Sequence, residues 1–197
     1  MFANFRADLF RARRQNVGPG WFDSHVQVFL QPGMIAVMMY RLGRWLSRLP
    51  VPVLRHLLLA IFMGTRYVVE AFTHVHLSLN ADIGPGLVVH LPWGIFVPPT
   101  RIGRNCTLNH GVVLNEGVLQ VGDDVYFAPG AKVVGPVRIG NNVMIAPNSL
   151  VLTNVPDNVT VMGVPARVRW PRSRTWNPDM WTPREDKRKA ATTKAAS

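Results

Sequence analysis

The feature that most constrains this chain is an apolar residue at every sixth position between residues 83 and 151. The steps are six residues long, except for steps of seven from 95 to 102 and from 114 to 121. This spacing matches neither the period of an α-helix nor the alternation of a half-buried β-strand. It is typical of a parallel β-solenoid, in which each hexapeptide supplies one short strand and one turn. The register residues are Ile83, Val89, Ile95, Ile102, Leu108, Leu114, Val121, Phe127, Val133, Ile139, Ile145 and Val151.

A second set of small or aliphatic residues lies four positions after register residues, and we expect it to point inward beside them. Three hexads close one triangular coil, and coils stack about 4.8 Å apart. Four glycines that directly follow register residues, at 84, 103, 122 and 140, are interpreted as turn residues. The alternative is an irregular β-rich domain with chance spacing. The second inward set is Cys106, Val112, Val125, Ala131, Val137, Val143 and Ser149.

The solenoid is predicted for residues 76–168, and the remaining chain divides into three segments. Residues 1–20 are interpreted as a basic arm that ends at the breaker VGPG. Residues 21–75 are predicted to form a helical cap. Residues 169–197 are broken by proline and then become charged and alanine-rich, which predicts a basic, disordered tail.

Two helices are predicted in the cap, one after Pro32 and one from Pro52 to about residue 71, because proline suits the first turn of a helix. Apolar residues at intervals of three and four indicate the inward face of each. In the first helix this face is Ile35, Met38, Met39, Leu42, Trp45, Leu46 and Leu49, with Arg41, Arg44 and Arg48 opposite. In the second helix it is Leu54, Leu57, Leu58, Ile61 and Phe62.

The net charge of +11 makes nucleic acid and anionic membranes candidate partners. However, residues 83–163 carry four basic and four acidic residues, so the excess lies in the flanks. No nucleic-acid recognition motif is present there, and we expect no nucleic-acid partner. A peripheral contact with an anionic membrane remains open.

The single cysteine excludes an intramolecular disulfide and fits a reducing compartment. The first residues lack the apolar run and cleavage site of a secretory signal. The apolar stretch 51–72 is interrupted by Arg55, His56, Arg66 and Glu70, so it falls short of a clean membrane span. We therefore expect a cytoplasmic protein, with contact at the inner face of the membrane as an option.

Three stretches of the chain carry a resemblance to a known family. "FLQPGMIAVMMYRLGRWL", "IGPGLVVHLPWGIFV" and the segment from "VGDDVYFAPGAKVVG" to the closing "GVPARV" resemble hexapeptide-repeat acyltransferases of the left-handed parallel β-helix fold. The similarity is to the serine O-acetyltransferase branch and to relatives that acetylate exopolysaccharide sugars. It covers residues 29–168.

This resemblance implies a mainly β protein, a left-handed parallel β-helix with an N-terminal helical cap, acting as a homotrimer. It implies acetyl-CoA as the acyl-donor substrate and no metal. In the family a histidine is the general base for an acceptor hydroxyl, and backbone amides stabilise the oxyanion between neighbouring subunits. The pantetheine arm of CoA lies along the coil edges.

The register locates the candidate base. Two columns of stacked residues follow the register residues 89, 108, 127 and 145. The family pattern "IGxGxxxDH" places an aspartate in the first column and the base in the second, and here these positions hold His90 and Leu91. The family's second histidine, in a later loop, has no counterpart here. His76 falls near the position of the family's upstream aspartate. The first column is His90, Asn109, Ala128 and Ala146, and the second is Leu91, His110, Pro129 and Pro147.

We predict His110 as the base, one coil below the family position, and His90 as an acceptor-binding residue. Ala128, Pro129, Ala146 and Pro147 are predicted to lie along CoA. Both histidines can alternatively be solvated turn residues.

The remaining candidates are assigned to structure. His25, His56 and His74 are interpreted as helix or linker residues, and Cys106 as core filler rather than nucleophile. The histidine pair of solenoid zinc hydratases, five residues apart, is missing, so no zinc site is expected.

The leading hypothesis is an acetyl-CoA-dependent O-acyltransferase acting on a hydroxyl of a sugar, a polysaccharide unit or a small polar acceptor such as serine. The alternative is a catalytically silent β-helix scaffold or binding protein, for which Leu91 is the argument.

Overall fold

A computed structural model describes residues 2–16 and 28–171 of the chain. His25 and the predicted tail from residue 172 onward lie outside the described residues. The helices are α1 (Phe2–Asn16), α2 (Val28–Leu30), α3 (Pro32–Leu46) and α4 (Pro52–Thr73). The strands are β1 (Val75–Leu77), β2 (Asp82–Ile83), β3 (Val88–Val89), β4 (Ile95–Val97), β5 (Arg101–Ile102), β6 (Thr107–Leu108), β7 (Val113–Leu114), β8 (Gln120–Val121), β9 (Tyr126–Phe127), β10 (Lys132–Val133), β11 (Arg138–Ile139), β12 (Met144–Ile145), β13 (Leu150–Val151), β14 (Val159–Met162) and β15 (Arg167–Pro171).

The strands form three parallel sheets that are the faces of one prism. Their orders are β1-β4-β7-β10-β13, β2-β5-β8-β11 and β3-β6-β9-β12-β14, and β15 closes the third sheet by pairing antiparallel with β14. From β1 to β14, consecutive strands therefore lie in different sheets, as expected when each coil visits all three faces. The predicted parallel β-helix with an N-terminal helical cap is confirmed.

The core of the prism is the predicted register. All twelve register residues are at most 6 % exposed, and the seven residues of the second inward set are at most 1 % exposed. A side chain every six residues thus fills the axis of the prism, and its aliphatic character supplies the hydrophobic free energy of the fold.

One register assignment was wrong. Ile95 pairs with Val75, and Val97 pairs with Leu77, while Phe96 pairs with Val113. Val97, not Ile95, therefore lies in the column of Leu114. The turn after β3 is two residues longer than the turn after β6. The sequence analysis missed this insertion because Ile95, six residues after Val89, is also apolar and buried.

The four glycines after register residues serve close stacking rather than a special turn conformation. None of them has a positive φ among the described residues. A Cβ added to Gly103 would lie 2.6 Å from the carbonyl of Gly122, and one on Gly122 would lie 2.6 Å from the oxygen of Gly140. Glycine is required because successive coils approach too closely there for any side chain.

The segment predicted as a basic arm forms, over residues 2–16, a helix docked on the first coil. Asp8 and Arg11 of α1 are 0 % and 7 % exposed. Asp8 accepts hydrogen bonds from the amides of Gly86 (2.7 Å) and Leu87 (2.9 Å). These polar contacts cover the open end of the solenoid, where the first coil has no preceding coil to pair with. A count of arginines could not reveal this docking.

The helix boundaries match the prediction, but the inward faces do not. In α3 the buried side chains include Ala36, Val37, Tyr40 and Arg41, whereas Trp45 is 43 % exposed. Arg41 was expected on the solvent side. It is buried because it pairs with Asp8 across the cap.

In α4 the predicted inward face lies mostly outward. Leu54, Leu57 and Ile61 are 46 %, 61 % and 64 % exposed, Leu58 is half-buried, and only Phe62 (5 %) is buried. The charged residues Arg66 and Glu70 are instead on the side of the helix that packs on the protein. The prediction failed because it assumed that the apolar stripe faces the core.

Candidate functional site

Four stacked strands position the candidate site at one edge of the prism. Val89 pairs with Leu108, Leu108 with Phe127, and Phe127 with Ile145, so the predicted register of these strands is confirmed. The second predicted column is wrong at its first member. The amide of Gly111 donates to the carbonyl of Trp93, as that of Gly130 does to His110, so Trp93 and not Leu91 lies one coil from His110. The first column continues the stacking of the strands. The amide of His90 donates to the carbonyl of Leu108 (2.8 Å), and that of Ala128 donates to the carbonyl of Ile145 (3.0 Å).

His90 lies half-buried at the start of this edge. It lines a cleft of about 220 Å³ together with Gln31, Pro32, Gly33 and Leu91, among others. Burial, and secondarily the positive charge of Arg11, lowers the pKa of His90 below its usual value. Both effects favour the neutral form of the imidazole over the charged form.

The wall of the cleft opposite His90 is the first turn of α3. A side chain at Gly33 would collide with the carbonyl oxygen of Val89, so glycine lets the helix touch the strand backbone directly. The motif "QPG" thus brings the start of a helix beside a histidine, and the sequence analysis assigned it no part in the site.

His110 lies one coil below, in the second column, and is half-buried. Its backbone carbonyl accepts a hydrogen bond from the amide of Gly130 (2.9 Å), which holds the turn in place. Its Nδ1 is buried and has no hydrogen-bond partner within the described part of the chain. Because this nitrogen is shielded from solvent, a ligand would have to approach the half-buried ring from another side.

Leu91 occupies the position at which the family resemblance would place the base. It is 73 % exposed and has a φ of 45°, a left-handed conformation that is unusual for a residue with a branched side chain. The two-residue insertion follows at once, and Trp93 stacks on His74 with ring centroids 3.9 Å apart. His74, interpreted as a linker residue, therefore lies beside this turn.

A carboxylate–imidazole pair lies where α4 leads into β1, and the sequence analysis missed it. Nδ1 of His76 is 3.3 Å from Oε2 of Glu70, and Glu70 is held by Arg66 at 2.7 Å. The ring of His76 stacks on Phe96 at 5.1 Å. A spacing of six residues across a helix end does not indicate such a contact, because it depends on how the chain turns at His74.

The residues predicted along CoA divide into two groups. Ala128 and Ala146 are each 2 % exposed, so their side chains are packed within the prism. Pro129 is half-buried and Pro147 is exposed. A ligand on this edge would therefore touch the prolines rather than the alanines, and a large residue at 146 would overpack the core.

Asn109, between the two histidines, has a structural part. Its Nδ2 donates to the carbonyl of Phe127 at 2.7 Å, and the residue is 7 % exposed. Cys106 is fully buried, and burial raises the pKa of its thiol to about 12, which fits core filler. Within residues 2–16 and 28–171, no group of three or more His, Cys, Asp or Glu side chains is placed to hold a metal ion.

Comparison with known proteins gives consistent matches. Residues 120–153 match the family described as bacterial transferase hexapeptide (six repeats). The serine acetyltransferase of Mycobacterium tuberculosis is 32 % identical over 185 residues, which cover 85 % of this chain and 73 % of that protein. The serine acetyltransferase of Synechococcus elongatus is 32 % identical over 145 residues, 70 % of this chain but 57 % of that protein.

The fold comparison agrees. The crystal structure of serine acetyltransferase from Brucella abortus superimposes with a TM-score of 0.73 at 25 % identity, covering 88 % of this chain and 70 % of that chain. The helical cap and the left-handed β-helix therefore occur together in this chain as they do in that structure.

Proposed function

The chain belongs to the serine acetyltransferase family of hexapeptide-repeat proteins, and from this premise we propose that it transfers an acetyl group from acetyl-CoA to a hydroxyl. The acceptor class is serine, another small polar alcohol, or a sugar hydroxyl. The observation that carries the proposal is the pair of half-buried histidines, His90 and His110, on successive coils of one edge.

The chemistry follows from general base catalysis. A neutral imidazole accepts the proton of the acceptor hydroxyl while the oxygen of that hydroxyl attacks the thioester carbonyl. The tetrahedral intermediate then collapses, the C–S bond breaks, and the imidazolium returns the proton to the CoA thiolate. The products are an acetyl ester and CoA. Backbone amides at the coil edge are the groups available to stabilise the oxyanion.

His110 is the proposed base. It is half-buried one coil below His90 on the same edge, and its Nδ1 has no protein partner among the described residues. His90, in the first column, is proposed to bind the acceptor. Its cleft against Gly33 and Pro32 gives it a confined surface for a small polar molecule.

A homotrimer is part of the proposal. The flat faces of a prism can bury further apolar surface only by association, and a site at a prism edge is completed by a neighbouring prism. A cytoplasmic location is proposed from the single reduced, buried cysteine.

The test is release of free CoA thiol by the purified full chain with acetyl-CoA and a panel of acceptors that includes L-serine and simple sugars. Cys106 is the chain's only cysteine and is buried, so the protein adds little thiol background. Turnover with at least one acceptor, with the acetylated product identified by mass, is expected.

A second function is favoured by one observation. Leu91 places an exposed apolar side chain where similar enzymes carry the base, which is the expected change in a catalytically silent scaffold or binding protein. That alternative predicts no thiol release with any acceptor and no acetyl-CoA binding by calorimetry.

A further inference from the structure

Helix α4 presents an uncharged, apolar surface to solvent along its whole length. Six residues on this side are between 56 % and 81 % exposed, and together we call them the α4 face: Val53, Leu57, Ile61, Tyr67, Val68 and Phe72. A helix of 22 residues is about 33 Å long, so the surface is extended rather than local. Contiguous apolar surface of this kind on a soluble fold marks an interaction site.

The charged residues of α4 lie on the opposite side. Arg66 and Glu70 form an ion pair with side chains only 12 % and 23 % exposed, and Arg66 also donates to the carbonyl of Leu77 (3.2 Å). Phe62 is the buried apolar contact on that side. The helix is therefore amphipathic in the inverted sense, with charge toward the protein and apolar side chains toward solvent.

The charge of the surrounding cap determines which occupant fits. Helices α1 to α4 and their described connections carry nine arginines and two acidic residues, Asp8 and Glu70, and both acids are in ion pairs with arginine. The exposed Arg48 lies just before α4. Two copies of such a cationic cap repel each other, whereas an anionic surface attracts it.

From these observations we propose that the α4 face binds the surface of an anionic phospholipid bilayer. The apolar side chains enter the boundary between headgroups and acyl chains, and exposed arginines of the cap, such as Arg48, interact with the lipid phosphates. Binding of the α4 face would hold the candidate acetyl-transfer edge near the membrane. The α4 face itself is not part of that edge.

The helix lies in the plane of the membrane and does not cross it. By length and composition α4 is able to span a bilayer. However, β1 begins at Val75, directly after the helix, and α3 packs on both α4 and the strands β1 and β3. One long side of α4 is thus occupied by protein, and both of its ends lead into the same folded body.

The experiment is vesicle co-sedimentation of the full-length protein. One set of vesicles is phosphatidylcholine alone, and the other contains phosphatidylglycerol. The test variant is Leu57→Gln with Ile61→Gln, which removes apolar surface without changing charge. The matched control is Leu119→Gln with Leu152→Gln, two residues of the solenoid that are 49 % and 48 % exposed. Circular dichroism checks that all variants are folded.

We expect the protein to bind vesicles that contain phosphatidylglycerol, and added salt should weaken this binding. Binding to vesicles of phosphatidylcholine alone should be weaker. The partition coefficient of the test variant should fall at least about tenfold, because burial of each aliphatic side chain contributes this much or more. The control should bind like the wild type. Three results overturn the proposal: no binding by the wild type, equal binding by the test variant, or a change of the test variant's oligomeric state in sedimentation, which would identify the α4 face as an interface between copies.

Discussion

The carboxylate of Asp8 lies 2.9 Å from Nε of Arg41, and the two side chains are 0 % and 7 % exposed. Arg41 also donates to the carbonyls of Ile83 and Gly84 at 2.6 Å, while Asp8 accepts the amides of Gly86 and Leu87. The pair joins α1, α3 and the first coil, so it holds the cap on the end of the solenoid.

Removing the charge of Asp8 should therefore be costly. We expect Asp8→Asn to lower the free energy of unfolding by about 3–5 kcal/mol, because it leaves Arg41 buried without a counter-ion. The control is Asp82→Asn, whose side chain is 64 % exposed beside Arg44 and should contribute at most about 1 kcal/mol. Urea unfolding of both variants measures the difference, and equal losses would show that the buried pair contributes no more than a surface one.

This pair also shows where sequence reasoning ends. The solenoid was predictable because one inward residue every six is a local rule that each coil repeats. The docking of α1 was not, since Asp8 meets Gly86 across 78 positions of sequence. Nor could the outward α4 face be predicted, because the apolar stripe of a helix indicates a buried surface without stating what buries it.

The candidate site divides in the same way. The columns that contain His90 and His110 followed from counting residues, since strand register fixes which residues stack. The cleft beside His90 did not, because it depends on the approach of Gly33 to Val89. The contact between Glu70 and His76 likewise depends on the left-handed residue His74 (φ 53°) that ends α4.

Pro147 is exposed on the edge proposed to hold CoA. We expect Pro147→Trp to weaken acetyl-CoA binding at least about tenfold, a loss of about 1.4 kcal/mol, because the indole would occupy that edge. Pro136 is also exposed but lies on another turn, so Pro136→Trp is the control. Isothermal titration calorimetry of the two variants measures the effect, and equal affinities would place the CoA groove elsewhere.

His90 predicts a pH dependence of stability. Its folded pKa is lowered, first by burial and then by Arg11, so the unfolded chain binds this proton more readily than the folded chain does. The stability contribution is therefore complete above the unfolded pKa and is lost as the pH falls through about 6.5 toward the folded pKa. Urea midpoints measured between about pH 7.5 and 5.5 should fall in the wild type and fall less in His90→Asn. The exposed His56→Asn serves as the control, and an identical pH profile for His90→Asn would contradict the prediction.

The two histidines of the edge are expected to differ kinetically. Loss of a general base typically reduces kcat about a hundredfold to ten-thousandfold, so His110→Ala should show a fall of this size at saturating acetyl-CoA. Loss of a contact that binds substrate and transition state alike raises KM and leaves kcat nearly unchanged, which is the expectation for His90→Ala. The reverse pattern would exchange the two roles. If neither variant loses kcat, the base lies outside these columns, and His76 beside Glu70 is the next candidate.

Leu91→His separates a modified enzyme from a silent scaffold. Residue 91 is exposed in the turn that follows His90, and its side chain is not needed for the core. A histidine there would stand at the position where the family resemblance places the base, beside the cleft that His90 lines. If the edge still binds acetyl-CoA and an acceptor, the added imidazole should raise thiol release, and in the His110→Ala background it should restore part of the lost kcat. The control is Leu91→Asn, which is polar, tolerates the left-handed conformation and is unable to act as a base. A silent scaffold would show no release with any of these variants, because a base accelerates the reaction only where the substrates are already held in place.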